Sequence, residues 1–364
     1  MGDRGGYADD TLILASGSDP RECIQRTTCG VQVVVGRIRM LGLDVALGKT
    51  EALMLHGPRS QPQMDTCLTV EDARIPLSGT MKYLGLVLDG RMSFREHFKR
   101  LAPRLQVAAA ALGRLLPNVG GPDVGCRRLY AGVIRSMALY GAPIWCGSLT
   151  PKNRAVLLGA QRVVTNRIVR AYRTVGREAS CALAGIPPWD LDTSVLADLY
   201  TRCTALRSRG IEPSPGQRET WRRQARLVAF RNWELRLANP TAGRATVEAI
   251  RPHLQQWVER RYGVLTYRLT QMLTGHGAFG HYLFWVARRE VTTVCHQCGD
   301  ADDTALHTLA ACPVFAEPRA ELVSALGGVD VAELSAVIAA AIGSQNNQLP
   351  SSQRFVLSSI SISI

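Results

Sequence analysis

The run Tyr7-Ala8-Asp9-Asp10-Thr11-Leu12-Ile13-Leu14-Ala15 sets two adjacent acids directly before an apolar stretch. Neighbouring carboxylates at a hairpin tip, with an apolar strand leading away, can present oxygens to divalent cations. Mg2+ suits a few carboxylates completed by substrate phosphates. Asp pairs are also common in ordinary turns, so the pair alone leaves both readings open. The polar turn Ser16-Gly17-Ser18-Asp19-Pro20 ends the run. Residues 21–43 carry a helical pattern that closes near Gly42, and Ala52-Leu53-Met54-Leu55 and Lys82 to Leu88 are strand-like. The first ninety residues therefore predict mixed strand and helix.

After Asp89-Gly90 the pattern turns helical. Ser93 and Glu96 predict a capping box, followed by an apolar stripe through Phe94, Phe98, Leu101, Leu105, Ala108, Leu112 and Leu115. Pro103 should kink that helix, and Pro117 with Gly120-Gly121 should end it. Further helices are expected at about 123–141 and 151–174. The second opens with Thr150 as cap and Pro151 in the first turn. In it Val156, Ala160, Val163, Val164, Ile168 and Ala171 should face inward, with Arg154, Arg162, Arg170 and Arg173 on other faces. Gly185 to Pro188 and Glu212 to Gly216 read as breaks. An Ala-rich helix is expected from Val329 to Ile342, before a Ser-rich tail.

The charge is uneven. The chain has 43 basic and 30 acidic residues among 364, a net +13. From Arg91 to Glu178 there are sixteen basic residues against Glu96, Asp123 and Glu178, an excess equal to that of the whole chain. Lysine occurs only at Lys49, Lys82, Lys99 and Lys152. Arginine grips phosphate in a bidentate fork, although GC-rich codon usage would give the same bias. Because the excess is concentrated, Arg154, Arg162, Arg170 and Arg173 are assigned as a group to a nucleic-acid-facing surface; any one of them alone would read as a solvated helix face. An apolar content of 46% with a mean hydropathy of zero excludes a largely disordered chain. No apolar run approaches the ~20 residues of a bilayer span, and Met1 to Gly6 has no signal-peptide core, so no membrane partner is expected.

Ten cysteines divide into two groups. Cys23, Cys29, Cys67, Cys126, Cys146, Cys181 and Cys203 are scattered singly and read as small core hydrophobes in a reducing, intracellular setting. Cys295, Cys298, His307 and Cys312 have the spacing C-x2-C-x8-H-x4-C, which predicts a closed structural Zn2+ site of three thiolates and one imidazole. His296 lies inside the Cys pair and is expected to be exposed or to sit behind the ligands. His276 and His281 read as packing residues beside Phe279, Tyr282, Phe284 and Trp285. Such a knuckle can bind single-stranded nucleic acid or serve folding alone, and the spacing does not separate these roles.

Tyr7-Ala8-Asp9-Asp10 resembles the Tyr-x-Asp-Asp box of reverse transcriptases, in the Ala form frequent in non-LTR (LINE-type) retrotransposons. Gly42-Leu43 with Lys49-Thr50-Glu51 before a strand, and then Lys82-Tyr83-Leu84-Gly85, follow in that family's order. The stretch Thr270 to Gly280 before the Cys/His cluster is similar to that of arthropod elements that insert into ribosomal RNA genes. The resemblance implies an α+β fold: a partial palm with a short antiparallel sheet over 1–90, and a basic helical thumb over 91–185. A helical region over 186–290, a zinc knuckle over 291–318 and a C-terminal helix with frayed tail over 319–364 complete it. It also implies an RNA-directed DNA polymerase in which Asp9 and Asp10 hold Mg2+ and Lys49 protonates the leaving pyrophosphate. Tyr83 and Gly85 would position the primer end. The implied partners are an RNA template, a DNA target that serves as primer, deoxynucleotide triphosphates, and the fingers and endonuclease domains of a parent polyprotein. The implied site of action is nuclear. The family's upstream palm strand, with the first metal-binding Asp, has no counterpart here. The chain is therefore expected to be a fragment that is inactive alone. The rival expectation is a non-catalytic nucleic-acid-binding remnant of a decayed element.

Overall fold

The computed structural model describes residues 3–7, 10–57, 66–260 and 265–346. They form an α+β chain in two compact units. The first holds residues up to 100 with 147–149, and the second holds 101–146 and 150 onward.

In the first unit β1 (Asp3–Tyr7) and β2 (Asp10–Leu14) form an antiparallel hairpin in which Tyr7 pairs with Asp10. Helix α1 (Pro20–Met40) follows; the Asp19 side chain accepts from the Glu22 N–H at 2.9 Å, and Pro20 pre-sets the first turn. The strands β3 (Ala52–Leu53), β4 (Cys67–Val70) and β5 (Ala73–Ser78) make a sheet ordered β3-β5-β4. Its β4–β5 pair is antiparallel and its β3–β5 pair parallel. Val31 and Val35 of α1 pack on Ala52, Leu68, Val70, Ile75 and Leu77, with Ile13 against the same core. Gly30 permits that approach, since a Cβ there would lie 3.3 Å from the Ile13 side chain. A second hairpin, β6 (Thr80–Tyr83) with β7 (Leu86–Asp89), turns through Leu84 and Gly85 at φ 44° and 80°. Positive φ at both central residues marks a type I′ turn, whose twist matches that of the strands.

Helix α2 (Arg95–Arg114) carries the chain into the second unit, which continues with α3 (Val124–Ala138), α4 (Ala142–Trp145) and α5 (Pro151–Ile168). Then come α6 (Arg177–Ala184), α7 (Trp189–Arg207), α8 (Pro215–Arg236), α9 (Arg244–Ile250) and α10 (Leu254–Glu259). The last are α11 (Tyr267–Thr274), α12 (Gly280–Trp285), α13 (Ala316–Ala325) and α14 (Leu334–Asn346). Side-chain caps stand where short polar residues precede apolar runs: Asp123, Thr150, Ser214 and Thr266 each accept a first-turn N–H. The Gly185–Pro188 break joins α6 to α7 within one unit. The Gln161 side chain holds it from α5, donating to the Pro187 carbonyl and accepting from the Trp189 N–H.

Several expectations are corrected. The Ser93 hydroxyl donates to Asp89 and receives the Arg95 N–H at 3.4 Å, while Glu96 pairs with Lys99 instead of completing a capping box. Leu115 is exposed and Leu116 buried in its place, because α2 ends at Arg114. Helix α5 stops at Ile168, not 174, so Arg170 and Arg173 are not on a helix; Arg170 has a left-handed φ of 59°. Val163 is exposed, and α5 buries Leu157, Gln161, Thr165 and Asn166 among its inward residues. Of the seven scattered cysteines only Cys181 and Cys203 are buried, and Cys29 is exposed. Helix α14 begins at Leu334, five residues after Val329. The strands β4 and β5 escaped the pattern because Pro76 interrupts the second of them.

Candidate metal centre and basic surface

Cys295, Cys298, His307 and Cys312 come together with one ligand atom each, all within 4.8 Å of one another. The Cys298 sulfur lies 3.3 Å from Nε2 of His307. A tetrahedral ion with metal–sulfur bonds of ~2.3 Å needs ligand–ligand edges of roughly 3.4–3.8 Å. The donor set fits such an ion, and its atoms, gathered within 4.8 Å, would draw in by up to about 1 Å on binding it. A tight turn delivers the first pair: the Gly299 N–H donates to the Cys295 carbonyl at 2.8 Å, and Gly299 adopts a φ of 80°. A π-helical turn over His307–Ala311 delivers the second, with the Cys312 N–H donating to the His307 carbonyl. Phe315 packs on the buried Cys295 and Cys312. Burial pushes the Cys295 thiol above its ordinary range, so a thiolate there calls for a cation.

The surrounding shell ties the cluster to the helices. The buried Asp303 carboxylate accepts the Gly280 N–H at 2.9 Å, and its backbone N–H donates to the Thr293 carbonyl. Gly280 must be glycine, since a Cβ would fall 2.6 Å from that carbonyl oxygen. The Arg319 guanidinium donates to the Leu309 and Cys312 carbonyls. It brings positive charge to a loop where three thiolates with a divalent ion would sum to minus one. Asp303 and Arg319 were not singled out from the sequence: a buried carboxylate on a distant N–H, and an Arg on two carbonyls, have no spacing signal. His296 is exposed, with Glu290 as its neighbour at 3.9 Å, as its position inside the Cys pair implies. His276 packs on the Tyr282 ring and bonds to the Thr174 hydroxyl at 2.9 Å, while His281 pairs with Asp302 at the surface.

The arginines of the basic stretch divide by what their forks touch. Arg154 pairs with the buried Asp190 at 3.2 Å, sharing it with Arg236 at 2.7 Å. Arg162 donates to the Val175 and Arg173 carbonyls at 3.0 and 2.7 Å. Arg170 donates to the Asn118, Gly120 and Pro122 carbonyls. Beside it the fully buried Arg127 donates to the carbonyls of Leu116, Pro117, Gly120, Pro122 and Arg167. Burial, with Arg170 and Arg167 close by, lowers the pKa of Arg127. Arg100, Arg104, Arg114 and Arg173 stay exposed, and none forms an ion pair among the described residues.

In the first unit Asp10 is exposed at the start of β2, while Asp9 lies outside the described residues. Lys49 is exposed at the end of a short 3-10 helix over Leu47–Lys49. Two residues on, the Glu51 carboxylate accepts the Lys82 N–H at 2.9 Å. That bond ties the Lys49 segment to the β6–β7 hairpin, which holds Tyr83 half-buried and Gly85 in its turn.

No family model matches the chain, and no solved structure does. It is 28% identical over 335 residues to a 115 kDa protein in type-1 retrotransposable element R1DM of Drosophila melanogaster, covering 86% of this chain and 31% of that protein. It is 26% identical over 354 residues to a retrovirus-related Pol polyprotein from type-1 retrotransposable element R1 4 of Nasonia vitripennis, covering 91% of this chain and 89% of that one. A Pol polyprotein of element R1 from Bradysia coprophila is 27% identical over 332 residues, with 32% of its length covered. The chain thus spans about a third of the Drosophila and Bradysia relatives. It is a relative of the Pol polyproteins of arthropod R1 retrotransposons over most of its length. Among the described residues no helix is long and apolar enough to cross a membrane.

Proposed function

We propose that this chain is the part of an R1-type polyprotein that carries the second half of a reverse-transcriptase palm, its thumb and a zinc knuckle, and that it serves RNA-templated DNA synthesis. The observation that carries the reading is the sequence Tyr7-Ala8-Asp9-Asp10 where β1 meets β2, with Tyr7 paired to Asp10 at the head of β2. Asp10 is exposed and, among the described residues, spends its carboxylate on no partner, so its oxygens are available to a cation. Asp9 and Asp10 would hold Mg2+, which when bound supplies charge stabilisation at the attacking 3′-oxygen and the pyrophosphate. Lys49, solvent-facing on its short helix, would give a proton to the departing pyrophosphate. Tyr83 and Gly85 would support the primer end from the rigid type I′ hairpin. Of the assigned arginines, Arg173 is exposed and outside any ion pair among the described residues, and Arg100, Arg104 and Arg114 would join it as phosphate partners for template and primer. Zn2+ would sit on Cys295, Cys298, His307 and Cys312 as a structural ion that fastens the C-terminal segment.

The test is deoxynucleotide incorporation by the parent polyprotein on an RNA template. Lys49→Ala should slow incorporation by roughly 10²–10⁴-fold, the usual worth of a positioned acid, with template binding unchanged. An unaltered rate would remove Lys49 from the chemistry. Template binding without incorporation by the unsubstituted protein would favour a non-catalytic binding remnant.

A further inference from the structure

We propose that the row of rings where α11 meets the turn after α5 binds an unpaired base of a single-stranded nucleic acid. Such a site rests on the function proposed above, to which it adds a place for an unpaired strand. Four rings stand in sequence. His276 and Tyr282 are 4.9 Å apart between centroids, Tyr282 and Tyr172 5.6 Å, and Tyr172 and Tyr267 5.9 Å. Polar bonds fix the row at both ends. The Tyr267 hydroxyl donates to that of Tyr172 at 2.8 Å, and the Thr174 hydroxyl bonds to Nδ1 of His276 and to the Tyr282 hydroxyl, each at 2.9 Å. Tyr282, inside the row, is buried, whereas the end rings Tyr267 and His276 are half-buried and keep part of their surface in solvent. Burial, with Arg162 close by, lowers the pKa of His276, so that its ring is neutral near pH 7.

Residues 162–177 and 265–283 build the row, and they hold six arginines and no acid. Arg173 is exposed and Arg268 half-buried, and neither forms an ion pair among the described residues. The Arg268 guanidinium lies 6.0 Å from the centroid of the Tyr267 ring. The acids alongside are engaged: Glu178 accepts the Thr241 and Ala242 N–H groups, Asp302 pairs with His281, and Asp303 holds the Gly280 N–H. Beneath the His276 loop, Gln271 is 2% exposed, and neither end of its amide has a partner among the described residues. A Cβ on Gly277 would fall 2.5 Å from the Gln271 Oε1, so the amide faces that loop. A polar end left open inside the fold calls for a polar group from outside the chain.

The chemistry of the row selects its occupant. An acidic peptide would satisfy Arg173 and Arg268 but offer nothing to the rings. A duplex brings phosphates while its base faces stay stacked inside the helix. A single strand brings both: a base to stack on the Tyr267 or His276 end of the row, and phosphates for the two arginines. The guanidinium beside the Tyr267 ring adds a cation to the same platform. RNA and DNA share this chemistry.

The test uses the full chain without Mg2+ or nucleotides, so its failure is distinct from a failure of incorporation. The probes are fluorescent uridine and thymidine strands of about 12 nucleotides, an abasic strand of equal length and charge, and a duplex of that length. In anisotropy titrations the base-bearing strands should bind at least roughly tenfold more tightly than the abasic strand. Tyr267→Leu should weaken the base-bearing strands at least roughly fivefold and leave the abasic strand unchanged. Arg173→Gln with Arg268→Gln should weaken both kinds of strand alike. Photo-crosslinking of strands carrying 5-iodouracil to the unsubstituted chain should place the adduct on a peptide containing Tyr172, Tyr267 or His276. An adduct with the RNA strand alone, the DNA strand alone or both supports the site and identifies its source. Where Tyr267→Leu fails to fold, the crosslink decides. No adduct on those peptides, equal binding of base-bearing and abasic strands, or a folded Tyr267→Leu chain with undiminished affinity overturns the proposal. Tighter binding of the duplex than of either single strand overturns it as well, in favour of a surface that reads only the backbone.

Discussion

Four residues from two turns, Cys295 with Cys298 and His307 with Cys312, decide what the C-terminal segment can be. Their sulfurs and imidazole already crowd within 4.8 Å, with Cys295 and Cys312 buried. Three thiols gathered at one point gain little from packing that a leucine would not supply, whereas a cation gains from every one of them. One Zn2+ per chain is therefore expected by elemental analysis. Co2+ substitution should give thiolate charge-transfer bands of three-sulfur strength. Cys298→Ser and His307→Ala should each lose most of the affinity, and His296→Ala little, since that ring is exposed near Glu290. Less than half an equivalent of metal in the unsubstituted chain would return these residues to the core. This site was legible because its ligands are paired at short range, and a turn fixes each pair whatever the rest of the fold does. Asp303 and Arg319 were not, because their partners are backbone groups brought near only by folding.

At the scale of elements, the loop between α2 and α3 is held from inside by arginine. Arg127 gives its fork to five carbonyls, and Arg170, in a left-handed conformation after α5, donates to three carbonyls of the same loop. Removing Arg127 would strand buried acceptors at about 1–3 kcal/mol each where water does not replace the donor. Arg127→Met should therefore destabilise the fold by about 3 kcal/mol or more, read as a lower urea midpoint with an unchanged m-value. A change under about 0.5 kcal/mol would mean that the loop is hydrated and the fork dispensable. The start of α5 was readable, since Thr150 and Pro151 signal locally, while Ser93 with Glu96 gave the pattern of a capping box without its bonds. The end of α5 was not: Val169 to Thr174 keep helical composition, and the chain leaves the helix where Arg170 finds carbonyls some fifty residues back. The identity of an Arg shows its charge, while its partner depends on tertiary placement.

Over the whole molecule the net charge of +13 needs the same division. Arginines bound to carbonyls and to Asp190 still carry charge, but their forks are occupied. Arg100, Arg104, Arg114 and Arg173, exposed and outside any ion pair among the described residues, can release counterions from phosphate. Replacing these four by Gln should flatten the log–log salt dependence of RNA binding by roughly one unit for each phosphate no longer neutralised, without lowering the thermal midpoint. An unchanged slope would place the polyanion surface elsewhere. The α+β class and the order of motifs were visible in the chain, because each motif is local. The break at Gly185 to Pro188 does not divide the two units, since the Gln161 side chain of α5 bonds to Pro187 and Trp189 across it.

If the Tyr7-Ala8-Asp9-Asp10 segment belongs to a polymerase, the Asp10 carboxylate is needed for nucleotide incorporation. Asp10→Asn keeps the size and the strand position at the head of β2 and removes only the charge. In the parent polyprotein, with Mg2+, a DNA primer and an RNA template, single-nucleotide incorporation should fall by at least about 10³-fold, the scale of losing a positioned charge at a reacting phosphate. Primer–template affinity should stay within about twofold of the unsubstituted protein. Incorporation at an undiminished rate in Asp10→Asn would mean that this carboxylate holds no catalytic metal.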